Sequence, residues 1–143
     1  MNKTLIILVF IGLFLIWKFV LFPEKLDFTD RVKVTQGLMM AAAYKQAIGE
    51  YWQEKNELPT AEQWDSEGPG VEVDLGTSIV ESIKVAEVVP GGITIYYSNA
   101  RDQSIAPEIS GKSLSLTPYA RDGKLEWSCK GTVPTEYLPA PCR

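Results

Sequence analysis

The sequence predicts an α+β roll: one long helix packed on a four-stranded antiparallel sheet, with a disulfide-closed loop at the C-terminus. Three observations lead there. An apolar N-terminal run gives way to an amphipathic segment of helical period. Four short segments of high β-propensity follow, separated by turn signals. The two cysteines both lie near the end of the chain. At 143 residues, 45% hydrophobic and 22% charged, the chain is long enough for one folded domain and ordinary enough to exclude wholesale disorder.

Leu5 to Phe22 is 18 residues of apolar sequence broken only by Lys18. That length crosses a bilayer core as a helix. Residues 1–23 are therefore expected to be a transmembrane anchor. A cleaved signal needs a shorter apolar run and a small-residue cleavage pattern, and Phe19 to Glu24 offers neither. The rival expectation is a signal peptide cut at a poor site. Lys3 favours a cytoplasmic N-terminus, whereas Glu24, Lys25, Asp27, Asp30 and Arg31 crowd the other end. The globular part, residues 24–143, then lies in the periplasm.

Pro23 ends or kinks the first helix. Asp27 or Thr29 supplies a cap for the next, expected over residues 29–56. Val34, Leu38, Ala41, Ala42, Ile48 and Trp52 recur at helical spacing, and Tyr44, Ala47 and Tyr51 widen the stripe. Gly37 and Gly49 lower its propensity, and Asn56 and Pro59 end it. Residues 57–77 read as an acidic connecting loop containing Gly68-Pro69-Gly70.

The sheet is expected over residues 78–129. Ile79 to Val89 is rich in valine and isoleucine, and Pro90-Gly91-Gly92 is a turn. Ile93 to Tyr97 and Ser113 to Thr117 are the second and third strands. Arg121-Asp122-Gly123 signals a hairpin, and Leu125 to Cys129 is the last strand. Short turns between consecutive strands give an antiparallel meander. Cys129 and Cys142 are expected to pair in an oxidising compartment, closing the loop 129–142. The alternative is two unrelated thiols.

Histidine is absent, which removes His-based triads, His general bases and His metal sites. Two cysteines cannot form a four-cysteine zinc site. Ser104, Ser110 and Ser128 have no histidine partner, so no enzyme is expected, and no cofactor or metal. Gly111-Lys112-Ser113 lacks the first glycine of a phosphate loop, because position 106 is alanine. Glu62, Asp65, Glu67, Glu72 and Asp74 lack a calcium-loop spacing and read as a solvated face. A net charge of −4 argues against nucleic-acid binding. Against that, Lys112, Arg121, Lys124, Lys130 and Arg143 fall late in the chain, and Lys112, Lys124, Lys130 and Arg143 are the candidate basic patch for DNA or another external ligand. Tyr96, Tyr97, Trp52 and Trp127 could serve as a stacking platform, but their periods favour core packing.

The last third resembles a type IVa pilin. The resemblance rests on Gly92 to Ile95, Gly111 to Pro118, Trp127 to Thr132, Tyr137 to Ala140 and the terminal Cys142-Arg143, together with Gly37 to Pro59 in the helix. It covers residues 31–143 and implies a pilin-like roll. It also implies partners among pilin subunits or pilus assembly proteins, self-assembly into fibres, and for some pilins DNA. The N-terminus departs from the family. Asn2-Lys3 stands where pilins carry the glycine and phenylalanine of the peptidase site, and Ile7 where they carry a glutamate. Residues 1–22 hold no carboxylate. The expectation is an unprocessed pilin-like protein of the inner membrane that contacts pilins and modulates their assembly. The alternatives are a genuine fibre subunit, major or minor, and a surface binding module.

Overall fold

The computed structural model describes residues 7, 10–14, 16, 26–68, 79–99 and 105–143. Most of the expected anchor, residues 1–23, lies outside these, as do residues 69–78 of the connecting loop. Ile7, Phe10–Phe14 and Ile16 are helical. Among the described residues, no helix is long and apolar enough to cross a membrane.

The main helix, α1, spans Leu26–Lys55. It begins ahead of residue 29, so Asp27 and Thr29 lie within the helix span. Its end follows the sequence signal: Asn56 takes a left-handed φ of 56° and donates its N–H to the Trp52 carbonyl at 2.8 Å. A second helix, α2 (Ala61–Glu67), stands where the sequence reading placed only loop. Thr60 caps it by accepting from the Gln63 N–H, and Gln63 returns a bond to the Thr60 N–H. This capping box is the sequence signature of a helix start, and a surface helix needs little else. Because α2 buries no side chain completely, its cap matters locally. Thr60→Ala is expected to cost about 1 kcal/mol in α2 alone. Amide exchange at Trp64 and Gly68 should quicken while the global melting temperature stays nearly fixed.

The strands are β1 (Val80–Val85), β2 (Ile93–Tyr97), β3 (Ser113–Arg121) and β4 (Lys124–Gly131). They form an antiparallel meander in the order β1-β2-β3-β4. β3 and β4 run further than Thr117 and Cys129, where the sequence reading ended them. The extension of β3 includes Pro118, opposite Trp127. Pairing between β2 and β3 ends at Ile93–Leu116, so beyond that point β3 is an edge on one side. A proline there removes no ladder bond. Asp122 and Gly123, with φ of 49° and 71°, make the tight turn into β4.

One face of the sheet carries Ile93, Ile95, Tyr97, Leu114 and Leu116, all essentially without solvent contact. Against it α1 lays Val34, Ala41, Tyr44 and Ile48. Ala42, which the sequence stripe had included, is exposed, because one residue of helix turns it about 100° from Ala41. Gly37 is buried in the middle of this seam. The Tyr97 ring lies across it and donates its hydroxyl to the Val34 carbonyl at 2.9 Å. A methyl at Gly37 would sit 2.7 Å from that hydroxyl oxygen. Ile105 and Ile109, from the β2–β3 connection, close one end of the core, and Val133, Tyr137 and Leu138 from the tail complete it.

Candidate functional site

The tail after β4 is built around the Cys129–Cys142 disulfide, with Cα atoms 5.1 Å apart. Two short 3-10 turns, Thr135–Tyr137 and Ala140–Cys142, fold it back over the sheet. Tyr137 and Leu138 are buried. The Arg31 Nε donates to the Glu136 carbonyl at 2.6 Å, which ties the loop to the start of α1. The Arg143 Nε donates to the Leu138 carbonyl at 2.8 Å, so part of its guanidinium is used to close the tail.

Of the four cations singled out from sequence, Lys124 stands apart from Lys130 along β4. Lys124 opens β4 beside the hairpin turn, and Lys130 lies six positions on, opposite Ser115. At strand rise their backbones are about 20 Å apart. Lys112 is half-buried just ahead of β3, and its carbonyl accepts the Tyr97 N–H at 2.9 Å. Near the hairpin, Arg121 faces Glu126 at 3.7 Å and Asp122 at 3.9 Å, which offsets its charge locally.

A different group of residues does converge. Lys45, Gly49, Trp52 and Gln53 of α1 face Gly123, Lys124, Leu125 and Trp127 of the hairpin across a cleft of about 240 Å³. The ammonium of Lys45 sits 5.3 Å from the centre of the Trp127 ring, a cation–π distance. Partial burial lowers the Lys45 pKa from its usual value. No carboxylate among the described residues lines the cleft. Among the described residues, neither Lys45 nor Lys124 belongs to an ion pair. Gly49 is the odd choice. Glycine in a helix interior costs roughly 1 kcal/mol relative to alanine, yet nothing lies within 4 Å of where its Cβ would be. Packing does not ask for it; its effect is to leave the helix wall of the cleft bare. Of these residues, sequence reasoning singled out Lys124 as a ligand contact and weighed Trp52 and Trp127 as core or platform. Lys45 and Gln53, polar positions of the helix, were not singled out. The available signal was a helix-interior glycine flanked by Lys45 and Trp52 at i−4 and i+3.

The tyrosines separate. Tyr97 is core, whereas Tyr96 points to the other face of the sheet. There it donates to Glu87 at 2.5 Å and has the Lys84 ammonium 5.6 Å from its ring. These hydrogen bonds from Tyr96 and Lys84 hold the Glu87 carboxyl below its usual pKa.

The outer side of α1 is the other notable surface. Val32, Gln36, Met39, Ala42 and Ala43 are exposed and carry no charge. Met39 is 70% exposed. In the N-terminal helical residues, Phe10, Leu13 and Ile16 are each more than half exposed. Exposed apolar surface on a helix is where proteins commonly meet partners or membranes.

The family profile of pilins, proteins of the bacterial filament, matches residues 31–143. The chain belongs to the pilin family. Among individual pilins it is similar to the fimbrial protein EcpC of Eikenella corrodens, with 26% identity over 121 residues, covering 85% of this chain and 75% of the relative. It is similar to the type IV major pilin protein PilE of Neisseria gonorrhoeae, at 27% identity over 85% of this chain and 80% of that one. A fimbrial protein of Neisseria meningitidis serogroup A is 30% identical over 75% of this chain, which spans 58% of that protein's length. The long helix laid on a four-stranded antiparallel sheet, with the tail closed by Cys129–Cys142, is the pilin roll expected from sequence.

Proposed function

We propose that this pilin is a non-enzymatic structural and interaction protein of a type IV pilus or a related system. It is held in the inner membrane by residues 1–23, with its globular part in the periplasm. There it contacts pilin subunits or assembly proteins and modulates assembly without being processed as they are. The observation that carries the reading is the uncharged, exposed side of α1 over Val32 to Ala43, together with the exposed Phe10, Leu13 and Ile16. Such a surface fits helix-to-helix contact with other pilins, and its apolar first part fits a bilayer. The modulating role rests on the sequence of residues 1–22, which offers no carboxylate to pair with a neighbour and no glycine–phenylalanine pair at the cleavage position.

Location tests this directly. Fibres sheared from cells, and inner membranes from the same cells, are probed for the chain, and its intact mass is measured. Recovery of the full-length mass in the membrane alone, with fibre number or length altered by deletion, is the expected result. A shortened chain abundant in sheared fibres would make it a fibre subunit and overturn the modulating role.

A further inference from the structure

We propose that the cleft between α1 and the β3–β4 hairpin binds a sugar acid, one pyranose ring bearing a carboxylate. Three features of the site call for those parts together. Lys45 and Lys124 both line the cleft, and no carboxylate lines it among the described residues, in a protein whose net charge is −4. Lys45 is half-buried, and among the described residues the Trp127 ring is what offsets its lost hydration. An incoming carboxylate supplies the missing counter-charge at little further desolvation cost to the protein. The indoles of Trp52 and Trp127, with Leu125, contribute aromatic and apolar walls to a lining that is otherwise polar. The C–H face of a pyranose packs on such walls, its polarised hydrogens toward the electron-rich ring. The Gln53 amide both donates and accepts, as sugar hydroxyls require.

Size and floor agree. At about 240 Å³ the cleft is smaller than the ~300–1,000 Å³ of drug-sized sites and suits a single ring. Gly49 and Gly123 lie on opposite walls and contribute no side chain. The turn geometry explains Gly123, with its φ of 71°. Gly49 has no such explanation and is accounted for by the space it leaves. A longer carboxylate ligand without a ring would gain nothing from the two indoles, and a neutral sugar would leave both ammonium groups unanswered.

The test is titration of the full-length protein in detergent micelles, read by tryptophan fluorescence and by saturation-transfer NMR on the sugar. Sodium glucuronate represents the uronic acids of polysaccharides, and N-acetylneuraminate the terminal acid of branched glycans. Glucose and sodium acetate are the one-feature controls. The expected result is saturable binding of at least one sugar acid with a dissociation constant of about 1 mM, the strength typical ligand efficiency gives a ligand of roughly 13 heavy atoms. Glucose and acetate should bind at least tenfold more weakly. Lys45→Gln should weaken the sugar acid about tenfold. Gly49→Leu fills the cleft from a helix position with open space beside it, so it should abolish binding with the melting temperature unchanged or raised. Which sugar acid binds more tightly separates the two sources. No saturation by either acid, binding of acetate as strong as that of the acids, or full binding retained by a folded Gly49→Leu protein would each overturn the proposal. The acetate outcome would instead identify a site for a protein carboxylate.

Discussion

Replacing Cys129 and Cys142 together by serine is expected to lower the stability of the globular part by about 3 kcal/mol. The bridge closes a loop with a sequence separation of 13. In the chain-entropy account, releasing a loop of that length gives the unfolded chain freedom worth about that much. For a globular part of about 120 residues this corresponds to a fall of about 12 °C in melting temperature. The native side adds to it. The tail delivers Val133, Tyr137 and Leu138 to the core, and once Cys142 is free its remaining ties to the body include the Arg31–Glu136 contact. Local opening of the tail should therefore precede global unfolding. Urea titrations of wild type with and without reductant, and of the double-serine protein in both, measure the effect. Reduced wild type and the variant should coincide, both about 3 kcal/mol below the oxidised protein. Amide exchange at Tyr137 and Leu138 should rise more than at Ile95. Oxidised and reduced proteins of equal stability would mean that the loop is already ordered in the unfolded state, or that the tail adds nothing to the core.

The parts of this fold that could be read from sequence are those where one local pattern has one physical solution. The stripe from Val34 to Ile48 has to face an apolar surface, and the alternation in Ile93–Tyr97 and Ser113–Thr117 supplies it. Asp122-Gly123 permits the left-handed angles of a two-residue turn, and the structure uses them. The readings that changed depended on neighbours far along the chain. The alternation that marks β3 in the sequence stops at Thr117, ahead of a proline. Nothing local says that β2 stops pairing at Leu116 and leaves Pro118 on a free side. The helix α2 was hidden by its shortness, although Thr60 and Gln63 spell out its cap. The cleft was the least legible feature. Lys45 and Gln53 belong to one element and Lys124 and Trp127 to another, and only the docking of the hairpin on α1 puts them around one space. Of the cations noted in the sequence, Lys124 and Lys130 share β4, and its rise sets them apart along the strand.

Gly37→Ala is expected to destabilise the protein by about 1–2 kcal/mol, against the direction that helix propensity alone predicts. Alanine favours an α-helix over glycine by roughly 1 kcal/mol. The new methyl, however, would lie 2.7 Å from the Tyr97 hydroxyl oxygen and 3.1 Å from two ring carbons. Tyr97 is 1% exposed, so the ring cannot swing out into water. Either α1 lifts from the sheet or the ring moves and loses its bond to the Val34 carbonyl. Overpacking of this kind costs about 1–3 kcal/mol, which exceeds the propensity gain. The companion change separates the two causes. Tyr97→Phe alone removes one buried hydrogen bond and should cost about 1 kcal/mol. In the Gly37→Ala background it also removes the atom in closest conflict, so it should cost nothing or restore stability. A coupling of about 1 kcal/mol in the double-mutant cycle is the signature of direct contact. Alkaline titration gives an independent reading of the same lock. Burial holds the Tyr97 phenol well above its ordinary value near 10. The folded state then keeps a proton that the unfolded state gives up. Stability from this group is complete below pH 10 and declines as the pH rises beyond it. Tyr97→Phe should flatten that alkaline decline, and an unchanged slope would mean that the phenol is not the group withheld from water.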